Sequence, residues 1–197
     1  MPATPLLVAT GNRHKTGEIR AILGGAFDVR DLTGVPHLTP AEENGKTFEA
    51  NASLKALGIA TQIEGLVLAD DSGLEVDALG GAPGVWSARY AGPGATDAQN
   101  REKLLGALDG ITERLARFRC VMVLARGKEI LGVFAGAVEG KLLCEERGEG
   151  GFGYDPLFVP EGLDQSFAEL SPGVKNELSH RARALEGVRR FFETAAF

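Results

Sequence analysis

The sequence has little cysteine: Cys120 and Cys144 are its only two, and they show no metal-ligand spacing. Cys120 sits in the apolar run Cys120-Val-Met-Val-Leu-Ala125 and reads as a buried free thiol, so neither cysteine is assigned chemistry. Long apolar runs are also missing. The stretch Leu6 to Ala9 is too short for the apolar region of a signal peptide, and nothing approaches the length of a membrane span, a pattern expected of a cytoplasmic protein with no membrane partner. Basic excess is absent as well. A net charge of -6 argues against broad nucleic-acid binding, which depends on cationic surface, so any phosphate contact has to come from locally gathered cations. Nor does the turn Thr10-Gly11-Asn12-Arg13-His14-Lys15 carry the Gly-Lys-Ser/Thr pattern of a phosphate loop, and Asp70-Asp71-Ser72 lacks the spaced Asp-x-Asp pair of haloacid-dehalogenase phosphatases.

What is present suffices for a full hydrophobic core without a metal or disulfide staple, and residues 1–197 are expected to form a single domain. The apolar run from Gly65 ends in Ala69-Asp70-Asp71-Ser72-Gly73. Successive side chains on a strand point to opposite faces, so Asp70 and Asp71 cannot both face one ligand through an unbroken strand, and Gly73 offers a bend that would aim one of them. A carboxylate exposed at a strand end is a usual ligand for a hard cation such as Mg2+; a polar turn between strands is the plainer reading.

Residues 5–10 read as a buried strand and 15–23 as a helix ended by Gly24-Gly25. The turn between them, Thr10-Gly11-Asn12-Arg13-His14-Lys15, places backbone N–H groups at a helix start, which suits an anion and equally suits simple capping by Thr10 or Asn12. A second strand is expected over 26–32 and a helix over 47–63, with Phe48, Ala52, Ile59 and Ile63 on one face. Asn51 and Lys55 share another face; Lys55 could reach a phosphate, although a lone helical lysine is usually a solvated charge. Glycines and prolines bracket Val85-Trp86-Ser87-Ala88-Arg89-Tyr90, a contact loop or a packed cover. Thr96-x-x-Gln99 is a capping box opening a helix to about 108, and 119–126 with 129–138 read as a hairpin.

Gly148-x-Gly150-x-x-Gly153 matches a dinucleotide fingerprint in letters only, because Tyr154-Asp155-Pro156 follows where that fingerprint requires a helix. The stretch reads instead as a flexible loop that brings the Phe152 ring and a carboxylate against a flat ligand. A last helix is expected over about 174–194, with Leu178, Ala182, Leu185, Val188 and Phe192 buried. At 100° per residue, His180 then points away from that stripe and Arg181 to its flank, free to act or simply solvated.

The order of these motifs closely resembles one family. Thr10-x-Asn12-x-x-Lys15, Glu42-Glu43-x-Gly45-x-Thr47-Phe48-x-x-Asn51-Ala52-x-x-Lys55-Ala56, Ala69-Asp70-Asp71-Ser72-Gly73-Leu74, Gly80-Gly81-Ala82-Pro83-Gly84, Ser87-Ala88-Arg89-Tyr90, Gly151-Phe152-Gly153-Tyr154-Asp155-Pro156 and Ser179-His180-Arg181 run as in the inosine triphosphate pyrophosphatase family, noncanonical purine nucleotide pyrophosphatases acting on dITP, ITP and XTP. The resemblance implies an α/β fold: a long mixed sheet flanked by helices, in two lobes with a central substrate groove, and a homodimer. It implies that Thr10, Gly11, Asn12, Arg13, His14 and Lys15 bind the substrate's phosphates and that Lys55 neutralises phosphate charge. Glu43 and Asp71 would hold Mg2+, Asp71 would also accept the proton of the attacking water, and Ser72 would touch substrate. Phe152, Gly153, Tyr154, Asp155, Lys175, His180 and Arg181 would form the base pocket, with Phe152 stacked on the purine and His180 and Arg181 facing its 6-keto oxygen. A pyrophosphatase for other modified nucleotides and a nucleotide-sensing module without turnover are the alternatives.

Overall fold

A computed structural model describes residues 2–194. The chain runs β1 (Thr4–Val8), α1 (Arg13–Leu23), β2 (Phe27–Asp31), α2 (Phe48–Ala60), β3 (Leu66–Val76), α3 (Asp97–Ala107), β4 (Leu115–Arg126), β5 (Glu129–Leu142), β6 (Phe158–Pro160), α4 (Pro172–Leu178) and α5 (His180–Thr194). Six strands form one sheet in the order β2-β1-β3-β4-β5-β6, with β1 parallel to β2 and β3 and β5 antiparallel to β6. The expected α/β class with a long mixed sheet is therefore correct. Among the described residues no helix is long and apolar enough to cross a membrane.

Local chemistry sets most element ends. Asn12 caps α1, Thr47 caps α2, and Thr96 with Gln99 forms the reciprocal capping box of α3. Gly24, in the left-handed region at φ 65°, stops α1. β3 differs from expectation: it runs unbroken for 11 residues through Gly73, which makes no bend. A side chain at Gly73 would collide with the Gly84 carbonyl and the Ser87 hydroxyl, so the glycine is there for close approach rather than for turning. The last helix also differs. Ser179 has extended backbone, φ -66° and ψ 158°, which separates α4 from α5 and breaks the angular count from 174 onward.

The chain divides into two compact units. The first comprises residues 1–71, 120–136 and 181–197, and the second 72–119 and 137–180. In the first, Leu6 and Val8 of β1, Ile19 and Leu23 of α1, Val29, Leu68, Met122 and Leu124 of the sheet, and Leu185 and Val188 of α5 make one core. In the second, Leu74, Leu104, Leu108, Phe118, Tyr154, Phe158 and Phe167 make another, where the Phe118, Phe158 and Phe167 rings lie 4.8–5.9 Å apart.

Candidate active site

The register of β1 with β3 pairs Val8 with Leu68, and the Ala9 N–H donates to the Leu68 carbonyl at 2.8 Å. This places the 10–15 turn beside the two acids of β3. In the turn, Asn12 Oδ1 accepts from the N–H groups of His14 at 2.9 Å and Lys15 at 3.2 Å, and Thr10 Oγ1 accepts from Asn12 N–H. Asn12 thus caps the helix, one of the two readings of this turn, and holds the Gly11-Asn12-Arg13 backbone in shape.

Alternation along β3 sends the adjacent acids to different partners, as an unbroken strand requires. Asp70 is 1% exposed. Its Oδ1 lies 2.5 Å from Lys15 Nζ, and its Oδ2 accepts from Arg181 Nε at 2.9 Å and Cys120 Sγ at 3.1 Å. Arg181 pairs in addition with Glu18. Burial works against ionising Asp70, but the charges of Arg181 and Lys15 and their hydrogen bonds outweigh it and hold the carboxyl well below its usual range. The same environment, burial first and Asp70 next, pushes the Cys120 thiol well up, so Cys120 is the inert buried thiol expected from its sequence context.

Asp71 faces α2. Its Oδ1 accepts from Lys55 Nζ at 2.8 Å and its Oδ2 from Asn51 Nδ2 at 3.3 Å. Lys55 also donates to the Asp70 carbonyl at 2.8 Å and pairs with Glu43 at 3.2 Å. It is only 9% exposed, so the solvated-charge reading fails: the side chain is buried among anionic and carbonyl oxygens. Burial alone would lower the Lys55 pKa, but Asp71 and Glu43 raise it above the ordinary lysine value. Burial conversely pushes Asp71 up, and Lys55 offsets only part of that. Asn51 adds a link, since its Oδ1 accepts from Gly45 N–H at 2.8 Å and so ties the segment bearing Glu43 to α2.

The second unit holds most of the residues predicted for the base. Lys175 Nζ pairs with Asp155 Oδ2 at 2.5 Å and lies 4.8 Å from the Phe152 ring centroid. Asp155 Oδ2 also accepts from Phe152 N–H at 2.8 Å, so this carboxylate is buried and spent on shaping the loop instead of being presented to a flat ligand. Tyr154 lies in the core with its hydroxyl donating to the Ser87 carbonyl at 2.8 Å. Burial raises its pKa above the usual phenol value. His180 does not point to the open face expected of it. It is 5% exposed and stacks on Phe118 at 4.9 Å and 12°, because the break at Ser179 reset the helix phase. Arg181, in the first unit, is buried as well and not on an open flank. Ser72 follows Asp71 on β3.

Sequence reasoning missed several functional candidates. In sequence Asp70 reads only as the neighbour of Asp71, Glu18 carries no signal at all, and Asn51 shares a helix face with Lys55 without a role. A cavity of about 420 Å³ lined by Leu115, Arg117, Glu139, Lys141, Val159 and Leu163 contains none of the predicted site residues.

Together these features define an α/β protein that gathers buried carboxylates, two lysines and an arginine beside a parallel strand pair. The chain belongs to the Ham1 family, whose model matches residues 6–191. It is 44% identical over 193 residues to the dITP/XTP pyrophosphatase of Bacillus licheniformis, spanning 96% of this chain and 98% of that one. The dITP/XTP pyrophosphatase of Geobacter sulfurreducens is 49% identical over 186 residues, 92% and 93% of the two chains. The solved Ham1 protein of Coxiella burnetii superposes with a TM-score of 0.87 at 38% identity, covering 98% and 100%. That of Staphylococcus aureus gives 0.85 at 40%, covering 96% and 98%. The resemblance drawn from the motif order is correct.

Proposed function

We propose that this protein hydrolyses dITP, ITP and XTP between the α and β phosphates, releasing nucleoside monophosphate and pyrophosphate and so clearing deaminated purine nucleotides from the precursor pool. The observation that carries the reading is the buried Lys55 ammonium shared by Asp71 and Glu43: two carboxylates converge on one cationic position next to the 10–15 turn. Relatives that are 44–49% identical over nearly the whole chain carry the name dITP/XTP pyrophosphatase.

Those two carboxylates suit Mg2+. The ion takes oxygen ligands and is commonly held by one or two carboxylates together with substrate phosphates, so a pair is enough. Among the described residues no three His, Cys, Asp or Glu side chains gather into a closed metal cage, and this chemistry does not require one. When held by Glu43 and Asp71, Mg2+ would neutralise charge on the phosphate oxygens and favour the ionised form of Asp71.

Lys15 and Lys55 supply positive charge to the triphosphate, while the turn, whose Asn12, His14 and Lys15 N–H groups are taken by the Thr10 and Asn12 side chains, offers the Gly11 and Arg13 backbone to the terminal phosphates. Asp71, with Oδ1 fixed by Lys55 and Oδ2 faced by Asn51, accepts the proton of the attacking water. The water oxygen bonds to the α phosphorus, the bond from that phosphorus to the bridging oxygen breaks, and pyrophosphate departs with the electron pair. Phe152 stacks on the purine. Donors for the 6-keto oxygen are proposed at His180 and Arg181, which are buried here against Phe118 and against Asp70 and Glu18 respectively, and an adenine amino group would leave such donors unpaired. We extend the proposal to a cytoplasmic homodimer, which gel filtration with light scattering would check.

Purified protein incubated with Mg2+ and ITP, dITP, XTP, ATP, GTP or dTTP, with monophosphate, pyrophosphate and phosphate quantified separately, tests the reading. Monophosphate plus pyrophosphate from inosine and xanthosine nucleotides alone is the expected result. Release of inorganic phosphate would mean that another bond is cut. Tight binding without product would make the chain a nucleotide sensor.

A further inference from the structure

The Phe152 loop rests on glycines in the left-handed region, Gly151 at φ 71° and Gly153 at φ 61°, a backbone with little conformational preference of its own. Yet the peptide groups of Gly153 are held at both ends from one helix. The Gly153 N–H donates to Asp97 Oδ2 at 2.7 Å, and the Gly153 carbonyl accepts from Arg101 Nη1 at 2.8 Å. Asp97 is the first residue of α3 and Arg101 lies one turn on, so the capping box that starts the helix also aims both side chains the same way. Arg101 is itself braced, its Nε lying 2.8 Å from Glu146 Oε1.

We propose that Asp97 and Arg101 are positioning residues that clamp the Gly153 backbone and so set the Phe152 ring for the purine. The proposal rests on the reading that Phe152 stacks on the base. The bond from Gly153 to the Asp97 carboxylate and the bond from the Arg101 guanidinium are charge-assisted, the strong class of hydrogen bond. The residues on either side of Gly153 are fixed by other means, Phe152 N–H on Asp155 and the Tyr154 hydroxyl on Ser87. Without the clamp, the glycine between them regains its freedom and the ring swings. The residues proposed for the phosphates belong to the first unit and the clamp to the second, so the clamp is read as acting on the base and not on the triphosphate.

The test uses Asp97→Ala, Asp97→Asn and Arg101→Met in the full chain. Asp97 is exposed and Arg101 is half-buried with no part in either hydrophobic core, so the variants are expected to fold; thermal melting checks this. Amide hydrogen exchange at 152–154, read by mass spectrometry, should accelerate about tenfold in Asp97→Ala and Arg101→Met, matching the loss of one charge-assisted bond. In the same variants KM for ITP should rise about tenfold with kcat within about twofold, and inhibition by inorganic tripolyphosphate should not change. Asp97→Asn keeps an acceptor and should restore most of the exchange protection, which loss of a helix-terminal charge alone would not predict. Unchanged exchange in Asp97→Ala overturns the clamp. Faster exchange with unchanged KM, or a fall in kcat alone, overturns its role in base binding. If the wild type does not cleave ITP, the functional reading falls while the exchange data still decide whether the clamp holds the loop.

Discussion

Lys15 Nζ and Asp70 Oδ1 lie 2.5 Å apart, so the lysine of the 10–15 turn is anchored by a carboxylate that has no predicted role of its own. The other oxygen of that carboxylate takes Arg181, from the start of α5. Lys15 and Arg181 therefore share one buried anion.

Asp70→Asn removes the anion and leaves two cations beside a neutral amide, one of them fully buried and still paired with Glu18. Breaking a buried ion pair by removing one partner costs roughly 3–5 kcal/mol. Denaturant unfolding at pH 7 should show a loss of that order. A loss under about 1 kcal/mol would mean that the network is not coupled as drawn.

Acid should narrow that difference. The folded-state pKa of Asp70 is depressed well below the value of about 3.9 expected of an unfolded aspartate. Its contribution to stability is fully present above the unfolded value and is lost as pH falls through the folded one. Unfolding free energies of wild type and Asp70→Asn, compared from pH 7 down to pH 3, should differ by a constant amount above about pH 5 and begin to converge below about pH 4, the gap closing only as pH passes through the depressed folded-state value. Divergence on acidification would reverse the sign of the shift.

The fold was largely legible because its signals are local. Capping boxes, the Gly24 stop and the hairpin at Gly127 all lie within a few residues of what they control. The site was legible as a list of residues and much less as a set of contacts. Lys55 taken alone reads as a solvated helical charge; its burial depends on Asp71, 16 residues on, and on Glu43 in an irregular stretch. The faces of His180 and Arg181 follow from 100° steps only along one continuous helix, and a single extended residue, Ser179, interrupts it. The partner of Asp97 is 56 residues away, so the capping box could be read while the clamp could not.

Asp71→Asn keeps the side-chain volume and an oxygen toward Lys55 but cannot take a proton. Turnover of ITP should drop by roughly 10²–10⁴, the range for loss of a general base, while nucleotide binding measured by calorimetry stays largely intact. Near-normal turnover would take Asp71 out of the proton-accepting role. The outcome also bears on Lys55, whose raised pKa arises first from Asp71 and then from Glu43 once burial has been overcome.

Glu43 and Asp71 should respond differently to metal. Chelation with EDTA should abolish turnover, and Mg2+ should restore it, if the pair holds the ion. The Glu43 side chain is 37% exposed and touches Lys55 at 3.2 Å, whereas that of Asp71 is 9% exposed and sits nearer the lysine at 2.8 Å. Glu43 therefore enters the site from the solvent side with a single assigned task. Losing its charge in Glu43→Gln should raise the Mg2+ concentration for half-maximal activity by about tenfold, with activity recovering at saturating metal, since one carboxylate and the substrate phosphates remain as ligands. Asp71→Asn should not recover at any Mg2+ concentration, because it also lacks the proton acceptor. Equal rescue of both variants would reduce Asp71 to a ligand, and failure to rescue Glu43→Gln would give Glu43 a part in the chemical step.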